Sequence, residues 1–408
     1  MIFMIAILLA LDIYAFQAIR TATQDWSPSA RMGITILYFS VTVFYFIIAL
    51  LIENGSVTRE TYWFRKYIAP LWVVLTFPKI IIAVFLLSED AVRIVRWIGR
   101  LFTNPAPSTT TAQNAISRSV FLSRLGIAVA ALPAISLLYG AVMNTYNYQL
   151  KKVKLSLPNL PESFKKWKII QISDIHIGSL TDQKAVQRGI DMINKENADL
   201  VLFTGDLVNT QAQEMDEWKE IFSQIKAKKG VFSILGNHDY GDYVRWSSVE
   251  AKKANFQQLV DTHKQMGWRL LRNEHQVFEE NGKTLALIGV ENWSNKAHFP
   301  RYGNLKAACD GCEADCKILL SHDPSHWEAE VLNYPDIALT LSGHTHGMQF
   351  GINWGSFKWS PIQYVYKQWA GLYQQKQQQI YVNTGFGVLG FPGRVGFLPE
   401  ITVFTFDS

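Results

Sequence analysis

Five short stretches of the chain gather side chains able to hold metal ions: Asp174-Ile175-His176, Gly205-Asp206, Gly236-Asn237-His238-Asp239, Ser321-His322-Asp323 and Gly343-His344-Thr345-His346-Gly347. Their donors are oxygen and nitrogen with no thiolate among them, a set suited to first-row divalent ions such as Mn, Fe or Zn. In an extended Asp-x-His run, residues two apart point the same way, so Asp174 and His176 can reach one ion. A turn between His344 and His346 could instead send the two imidazoles to different ions. Two ions ~3.5–4 Å apart would hold a bridging hydroxide and clamp both oxygens of an in-line displacement at phosphorus. Such a pair needs a shared carboxylate, and Asp206 is the candidate. Singly, each fragment has a plainer reading: Gly205-Asp206 and Asn237–Gly241 as turns, His322 as a hydrogen-bonded loop histidine. Their order and placement set them apart.

Each fragment directly follows a strand candidate. Lys168–Ser173, Leu200–Thr204 and Val231–Leu235 are short apolar runs of strand type. Between them lie helical patterns, one over Asp182–Glu196 with Val186, Ile190 and Ile193 on a face, another with Met215, Trp218, Ile221, Phe222 and Ile225. Leu285–Val290, Lys317–Leu320, Ile337–Leu341, Gln379–Asn383 and Ile401–Phe406 are further strand candidates. The early βαβα order predicts an α/β domain, and the strand-rich end predicts a mixed or second sheet. Ligands in α/β sheets gather outside the carboxyl ends of strands, so the five fragments share one crevice.

Charge divides the chain. Residues 1–150 carry 11 Lys+Arg, 6 Asp+Glu and no His, whereas the remainder balances 28 against 28 and holds all nine His. A neutral second part lacks the basic excess of a nucleic-acid binder. The first part holds apolar runs over Met1–Ile19, Met32–Ile52, Tyr67–Leu87 and Leu125–Met143, each about the ~20 residues that cross a bilayer. Asp12 and Lys79 fall inside these runs, either as a polar pathway or as a structural pair. The segment Thr103–Asn114 reads as a loop. Arg93, Arg96, Arg100, Arg118 and Arg124 draw the segment before the fourth run to the cytoplasm, while Lys151, Lys152 and Lys154 pull the other way. The run from Ser117 to Leu122 resembles a twin-arginine export signal with Ser119 in place of its second Arg. The resulting expectation is a membrane domain over 1–147 and an extracytoplasmic domain over 148–408, opened by a strand holding Val153, Leu155 and Leu157.

The blocks DIHIG, GDLVN, GNHDY, SHDP and GHTHG resemble the calcineurin-like metallophosphoesterase family, over roughly residues 150–408. With the preceding spans, the chain resembles the bacterial transmembrane branch, as do Tyr381–Gly390 (YVNTGFGVLG), Arg394 and Pro399-Glu400. The resemblance implies two sheets packed between helices and a two-metal centre in a bacterial cell membrane. One metal would be held by Asp174, His176, Asp206 and His346, the other by Asp206, Asn237, His322 and His344. His238 would lie over the substrate, steadying a phosphoryl oxygen or protonating the leaving group, with Asp239 orienting it. The implied activity is a membrane-anchored, dinuclear phosphohydrolase, a phosphodiesterase whose bridging hydroxide attacks a phosphate ester. A pyrophosphate hydrolase of UDP-diacylglucosamine type is a narrower alternative, which would place the site in the cytoplasm. A non-catalytic metal-binding sensor or scaffold, and more weakly a transporter, are the rival classes.

Three features bear on substrate and compartment. Aromatics crowd Phe350–Tyr373, reading as sheet packing or as a lipid-facing rim for a lipid-linked substrate. Arg394 is a candidate partner for a substrate phosphate, or for a surface salt bridge. Cys309, Cys312 and Cys316, the only cysteines, read as one disulfide plus a leftover thiol in an exported domain, or as a zinc or cluster site lacking a clear fourth ligand.

Overall fold

A computed structural model describes residues 2–54, 67–102, 118–296, 299, 301–355 and 357–407. The loop expected at 103–114 and Ser117 of the export-signal-like run lie outside them. The chain forms two compact units, Met1–Tyr139 and Gly140–Ser408.

The first unit is helical: α1 Ile2–Ala22, α2 Pro28–Glu53, α3 Ala69–Phe102 and α4 Arg118–Tyr139. Among the described residues, Pro28–Glu53, Pro70–Gly99 and Arg118–Asn144 are long and apolar enough to cross a membrane. The 21-residue α1 packs its small Ala15 and Ala18 against Ile82 and Leu86 of α3 and Ala130 of α4. Small side chains let helix backbones approach where no hydrophobic drive separates helix from lipid. The two ionisable groups of the apolar runs satisfy each other, with Lys79 Nζ 2.6 Å from Asp12 Oδ1. Thr42 donates to the other Asp12 oxygen, and Lys79 also lies 5.0 Å over the Tyr38 ring.

The second unit holds the strands β1 Gln149–Leu155, β2 Ile169–Ile172, β3 Leu200–Phe203, β4 Val231–Ser233, β5 Trp268–Leu270, β6 Glu274–Glu280, β7 Lys283–Gly289, β8 Cys316–Leu320, β9 Ile337–Ser342, β10 Ile352–Trp354, β11 Phe357–Trp359, β12 Gly371–Gln375, β13 Gln378–Val382 and β14 Glu400–Phe406. One six-stranded sheet runs β1-β14-β2-β3-β4-β5, the other β12-β13-β9-β8-β7-β6, and β10 pairs with β11 in a separate hairpin. β2 to β5 are mutually parallel, as are β7, β8, β9 and β13. β14 lies parallel to β1 but antiparallel to β2.

The two-residue period of each strand divides its side chains between layers. In β2, Ile169 faces the other sheet, packing in a core with Leu202, Ile234, Leu287, Ile318, Leu320, Leu341 and Phe404. Ile170 and Ile172 face the helical side with Val186, Ile190, Ile193, Phe222 and Leu259. The outer face of the second sheet packs on Leu305, Trp327 and Val331. The result is a four-layer arrangement of helices, two mixed sheets and helices. Burial of each large apolar side chain contributes about 1.5–3 kcal/mol. Between the sheets, Gln171 Nε2 donates to Thr204 Oγ1 at 3.0 Å and to Ser342 O at 2.9 Å, tying β2 to the end of β9.

The helix expected over Asp182–Glu196 is Gln183–Lys195, capped by Asp182 accepting from Ala185 N. The second expected helix is instead broken into a 3₁₀ turn, Ala212–Met215, and one α turn, Lys219–Phe222. Glu214 explains the break: its carboxylate accepts from the backbone of Asn209, Thr210 and Gln211, closing a tight loop rather than starting a long helix.

Candidate metal centre

The five fragments leave the carboxyl ends of β2, β3, β4, β8 and β9 and converge there. Asp174, His176, Asp206, His344 and His346 all adopt left-handed backbone, with φ of 51°, 46°, 62°, 70° and 51°. For residues with a side chain this conformation is unfavourable, and its clustering marks backbone held in place by its surroundings. Two glycines make the convergence possible. A Cβ on Gly205 would lie 2.6 Å from Gly236 N and 2.8 Å from His322 Nδ1, and its φ is +97°. One on Gly343 would fall 2.2 Å from Asp174 Oδ2.

Two groups of donors result: Asp174, His176 and His346, and Asp206, His322 and His344. His346 Nε2 lies 3.2 Å from Asp174 Oδ1, and His322 Nε2 lies 3.1 Å from Asp206 Oδ2. His176 Nε2 lies 3.4 Å from Asp206 Oδ2 and 4.0 Å from Asp174 Oδ1, joining the groups. His344 N donates to both Asp174 oxygens at 3.0 Å. Asn237 Oδ1 sits 2.8 Å from His344 Nδ1, while its Nδ2 donates to Tyr243 Oη.

Proton placement shows whether these residues suit a cation. His322 Nδ1 lies 2.7 Å from the Thr204 carbonyl, which can only accept, so a neutral ring would turn its Nε2 lone pair on Asp206, and only a second proton or a cation relieves that opposition. Tyr366 Oη donates to Asp323 Oδ2 at 3.3 Å and stands 2.8 Å from His344 Nε2, while the other ring nitrogen, Nδ1, stands 2.8 Å from Asn237 Oδ1. Among the described residues, neither nitrogen of the buried His176 ring has a hydrogen-bond partner, nor do His322 Nε2 and His346 Nε2. Carboxylate oxygens and imidazole nitrogens gathered in a buried crevice call for positive charge between them, and oxygen and imidazole donors fit divalent ions.

The electrostatics agree. Burial raises the Asp206 carboxyl, but His322, His238 and His176 around it hold it well below the usual range. Asp174 is likewise held low against its burial, chiefly by His346. Burial disfavours the His322 imidazolium, yet Asp206 pushes it up to about 10. Burial keeps the His176 imidazole well below its ordinary range.

His238 lies beside this centre, its ring centroid 4.9 Å from that of His176. Its Nδ1 donates to Asn209 O at 2.6 Å, which leaves Nε2 for other partners. Asp239, expected to orient it, does not touch the His238 ring. The Asp239 carboxylate accepts from the backbone N–H groups of Asp206, Leu207, Val208 and Gly236 at 2.8–3.3 Å, so it shapes the loop that presents Asp206. Burial and the Asp206 charge push its carboxyl up to about 7 against those donors.

Arg394 also departs from expectation. It is wholly buried rather than at the surface, and its guanidinium donates to the carbonyls of Thr384, Gly385, Gly387 and Phe397. The loop it grips is bonded to the first strand end, Phe386 N to Ser173 O at 2.7 Å and Gly387 N to Asp174 O at 2.9 Å. Arg394 Nη2 lies 3.3 Å from His346 Nδ1, so the arginine braces the first donor group. The three cysteines are free thiols rather than disulfide-bonded. Cys316 points into the core between the sheets and Cys312 into the outer one, and burial pushes the Cys316 thiol up to about 12.

Asn209, Tyr243, Asp323 and Tyr366 are further polar residues of the site. Asn209 and Asp323 stand inside GDLVN and SHDP, so the motifs themselves carried the signal. Tyr366 lies beyond a hairpin, and no spacing announces it.

Two family models match the chain: "Probable Calcineurin-like phosphoesterase, transmembrane domain" over residues 1–145 and "Calcineurin-like phosphoesterase" over residues 168–348. A Danio rerio "Transmembrane protein with metallophosphoesterase domain" is 30% identical over 300 residues, covering 72% of this chain and 64% of its own length. The chain thus spans less than two thirds of that relative. The metallophosphoesterase YkuE of Bacillus subtilis (strain 168) is 31% identical over 261 residues, covering 63% of this chain and 84% of its own. "UDP-2,3-diacylglucosamine pyrophosphatase LpxG" of Chlamydia trachomatis is 24% identical over 280 residues, covering 56% and 81%. Fold and site define a membrane protein with an α/β metallophosphoesterase unit. The chain belongs to the calcineurin-like phosphoesterase family.

Proposed function

We propose that the chain is a membrane-anchored phosphohydrolase, a phosphodiesterase that uses two divalent metal ions. The observation that carries this reading is the convergence of two donor groups, Asp174, His176 and His346 beside Asp206, His322 and His344, in a crevice formed by five strand ends. Asp174, His176, Asp206 and His346 would hold one ion, and Asp206, Asn237, His322 and His344 the other. Such ions supply polarisation of the phosphoryl oxygens and activation of water at neutral pH. The chain's own residues do the rest. Asp206 spans both groups through one carboxylate, with its Oδ1 fixed by the backbone N–H of His238 at 2.8 Å. His238, pinned through Nδ1 and half-buried, presents Nε2 to steady a phosphoryl oxygen or give a proton to the leaving group. The buried strand ends keep bulk water from the donors. The membrane domain supports a substrate held at or in the bilayer, and the basic segment before α4 supports an extracytoplasmic catalytic unit.

The test is purification of the full chain in detergent, elemental analysis, and metal-dependent cleavage of bis-p-nitrophenyl phosphate in heavy-oxygen water. One solvent oxygen should appear on each released phosphoryl group, whereas a trapped phosphoenzyme would overturn the mechanism. A second reading, hydrolysis of a UDP-diacylglucosamine-type pyrophosphate, draws on the likeness to LpxG. It requires a cytoplasmic catalytic unit, so topology mapping separates the two.

A further inference from the structure

The chain between His346 and Tyr366 is stapled to the site at both ends, and much of it is exposed between them. At one end are His346 and Gly347, whose carbonyl accepts from Ser360 Oγ at 2.9 Å. At the other, Tyr366 is buried against His344 and Asp323, in a small apolar cluster with Trp369 and Phe397. The four residues leaving the site, His346 to Gln349, all have positive φ, so the backbone turns sharply outward. It then forms the β10–β11 hairpin and the turn Pro361–Tyr364.

This segment turns its largest apolar side chains to solvent. Trp354 is 85% exposed and Tyr364 77%. Phe357, Val365, Met348 and Ile352 are each at least half exposed. The aromatics of this region thus divide, Tyr366 and Trp369 packing inward and Trp354, Phe357 and Tyr364 outward. A run of large exposed apolar side chains on a folded unit, with Trp354 paired across the hairpin to Phe357, marks an interaction surface. Its own charge is basic: between Asp336 and Glu400 the sequence has no acidic residue, Arg394 is buried and Lys367 pairs with Glu328 at 3.0 Å, which leaves Lys358 as the charge of the hairpin. Trp and Tyr favour the headgroup level of a bilayer, and lysine favours anionic lipid. The unit that carries this rim is covalently joined to membrane-crossing helices, so a bilayer is always within reach.

We propose that the β10–β11 hairpin and the turn after it dip into the lipid interface, forming a lip through which a lipid-linked phosphoester reaches the metal centre. The occupant of the surface is the bilayer itself. This deepens the reading of a membrane-held substrate and rests on it for the second half of the claim. The fit is geometric: the hairpin's two ends carry the groups that position His344 and His346, so a headgroup phosphate beside the lip would lie next to the donors.

The test uses the full chain in phosphatidylethanolamine–phosphatidylglycerol vesicles. Trp354→Cys is labelled with an environment-sensitive fluorophore, Lys184→Cys on an exposed helix is the reference, and the parental protein gives the labelling background of the native thiols. The label at 354 should shift to the blue, be quenched by nitroxide-bearing phospholipid and be protected from aqueous iodide, with the reverse at 184. Iodide quenching at 354 equal to that at 184 would overturn the proposal. So would protection from both quenchers, which would mean that protein, a second copy included, covers the rim. In a second arm, the Ile352→Ser/Trp354→Ser/Phe357→Ser variant should cleave bis-p-nitrophenyl phosphate like the parent but lose at least about tenfold on a fluorescent phospholipid diester in the vesicle. If the parent cleaves the soluble ester and not the embedded one, the lipid-substrate reading falls, and the labelling result alone decides whether the hairpin is an interfacial anchor.

Discussion

Asp206 Oδ2 stands 3.1 Å from His322 Nε2, and the one proton a neutral His322 ring carries is committed to the Thr204 carbonyl. That pair can be satisfied by a proton or by a cation, and nothing else in the crevice serves. Asp206→Asn keeps the shape and removes the charge. Metal bound per chain should fall, and turnover of bis-p-nitrophenyl phosphate should drop by more than the about 10–100-fold typical of disturbing a residue that only supports a ligand. Elemental analysis and steady-state kinetics check both.

His238 makes a different prediction because it holds no place in either donor group. His238→Ala should retain the metal and lose about 10²–10⁴ in kcat, the range of a general acid. The loss should grow as the leaving group becomes more basic, since a poor leaving group depends more on a donated proton. A series of aryl and alkyl phosphodiesters reads this slope, and an equal loss for every ester would refute the role.

The Asp239 carboxylate, with four backbone N–H groups around it, is a scaffold for the Asp206 loop. Asp239→Asn points an amide donor at some of those donors. We expect destabilisation on the order of 3 kcal/mol and weaker metal retention, with the leaving-group slope unchanged. Thermal unfolding of the full chain in detergent, alongside that slope, distinguishes loop support from service to His238.

Glu400 supplies a pH signature. Burial works against its carboxylate, but Lys151 at 3.3 Å and hydroxyl donors from Thr402, Tyr381 and Thr384 outweigh it and hold the carboxyl below its ordinary value. A group depressed in the folded state stabilises fully above its unfolded pKa of about 4.3 and loses that contribution as pH falls through the lower, folded value. Glu400→Gln should therefore be less stable than the parent at pH 7, and the gap should close on acidification below about pH 4. A gap that is constant with pH would remove the carboxylate's charge from the explanation.

Within the membrane, Asp12→Leu should leave Lys79 unpaired and cost several kcal/mol. Adding Lys79→Leu should recover much of the loss, with turnover unaffected. Unfolding midpoints in detergent together with hydrolysis rates test this. A double variant that folds yet loses turnover would mark the pair as functional.

The interior strands of both sheets and the donor residues were legible in the sequence, because a strand buried on both faces is a continuous apolar run followed by its loop. β5, β6 and β12 were not legible, and they lie at or beside sheet edges, where Glu274, Glu279 and Glu280 or Gln374 and Gln375 are tolerated and the run is broken. Helix Val249–Gln265 was missed because few apolar residues mark its inner face. Arg394 read as a phosphate partner or a surface salt bridge because its guanidinium is planar and bidentate, whereas that guanidinium is taken up by carbonyls and by His346, which converge on it only after folding. Tyr366 depends on a hairpin returning to its origin, a relation between distant residues that no local spacing encodes.

β14, residues 400–406, is interposed between β1 and β2, which precede it by more than two hundred positions. During synthesis on the ribosome, the sheet that presents Asp174 and Asp206 must stay open at this seam until β14 emerges from the exit tunnel, long after the membrane helices have been translated. A chain in that interval has two unsatisfied strand borders, so the crevice first closes only after a segment made later than every donor residue has threaded between them.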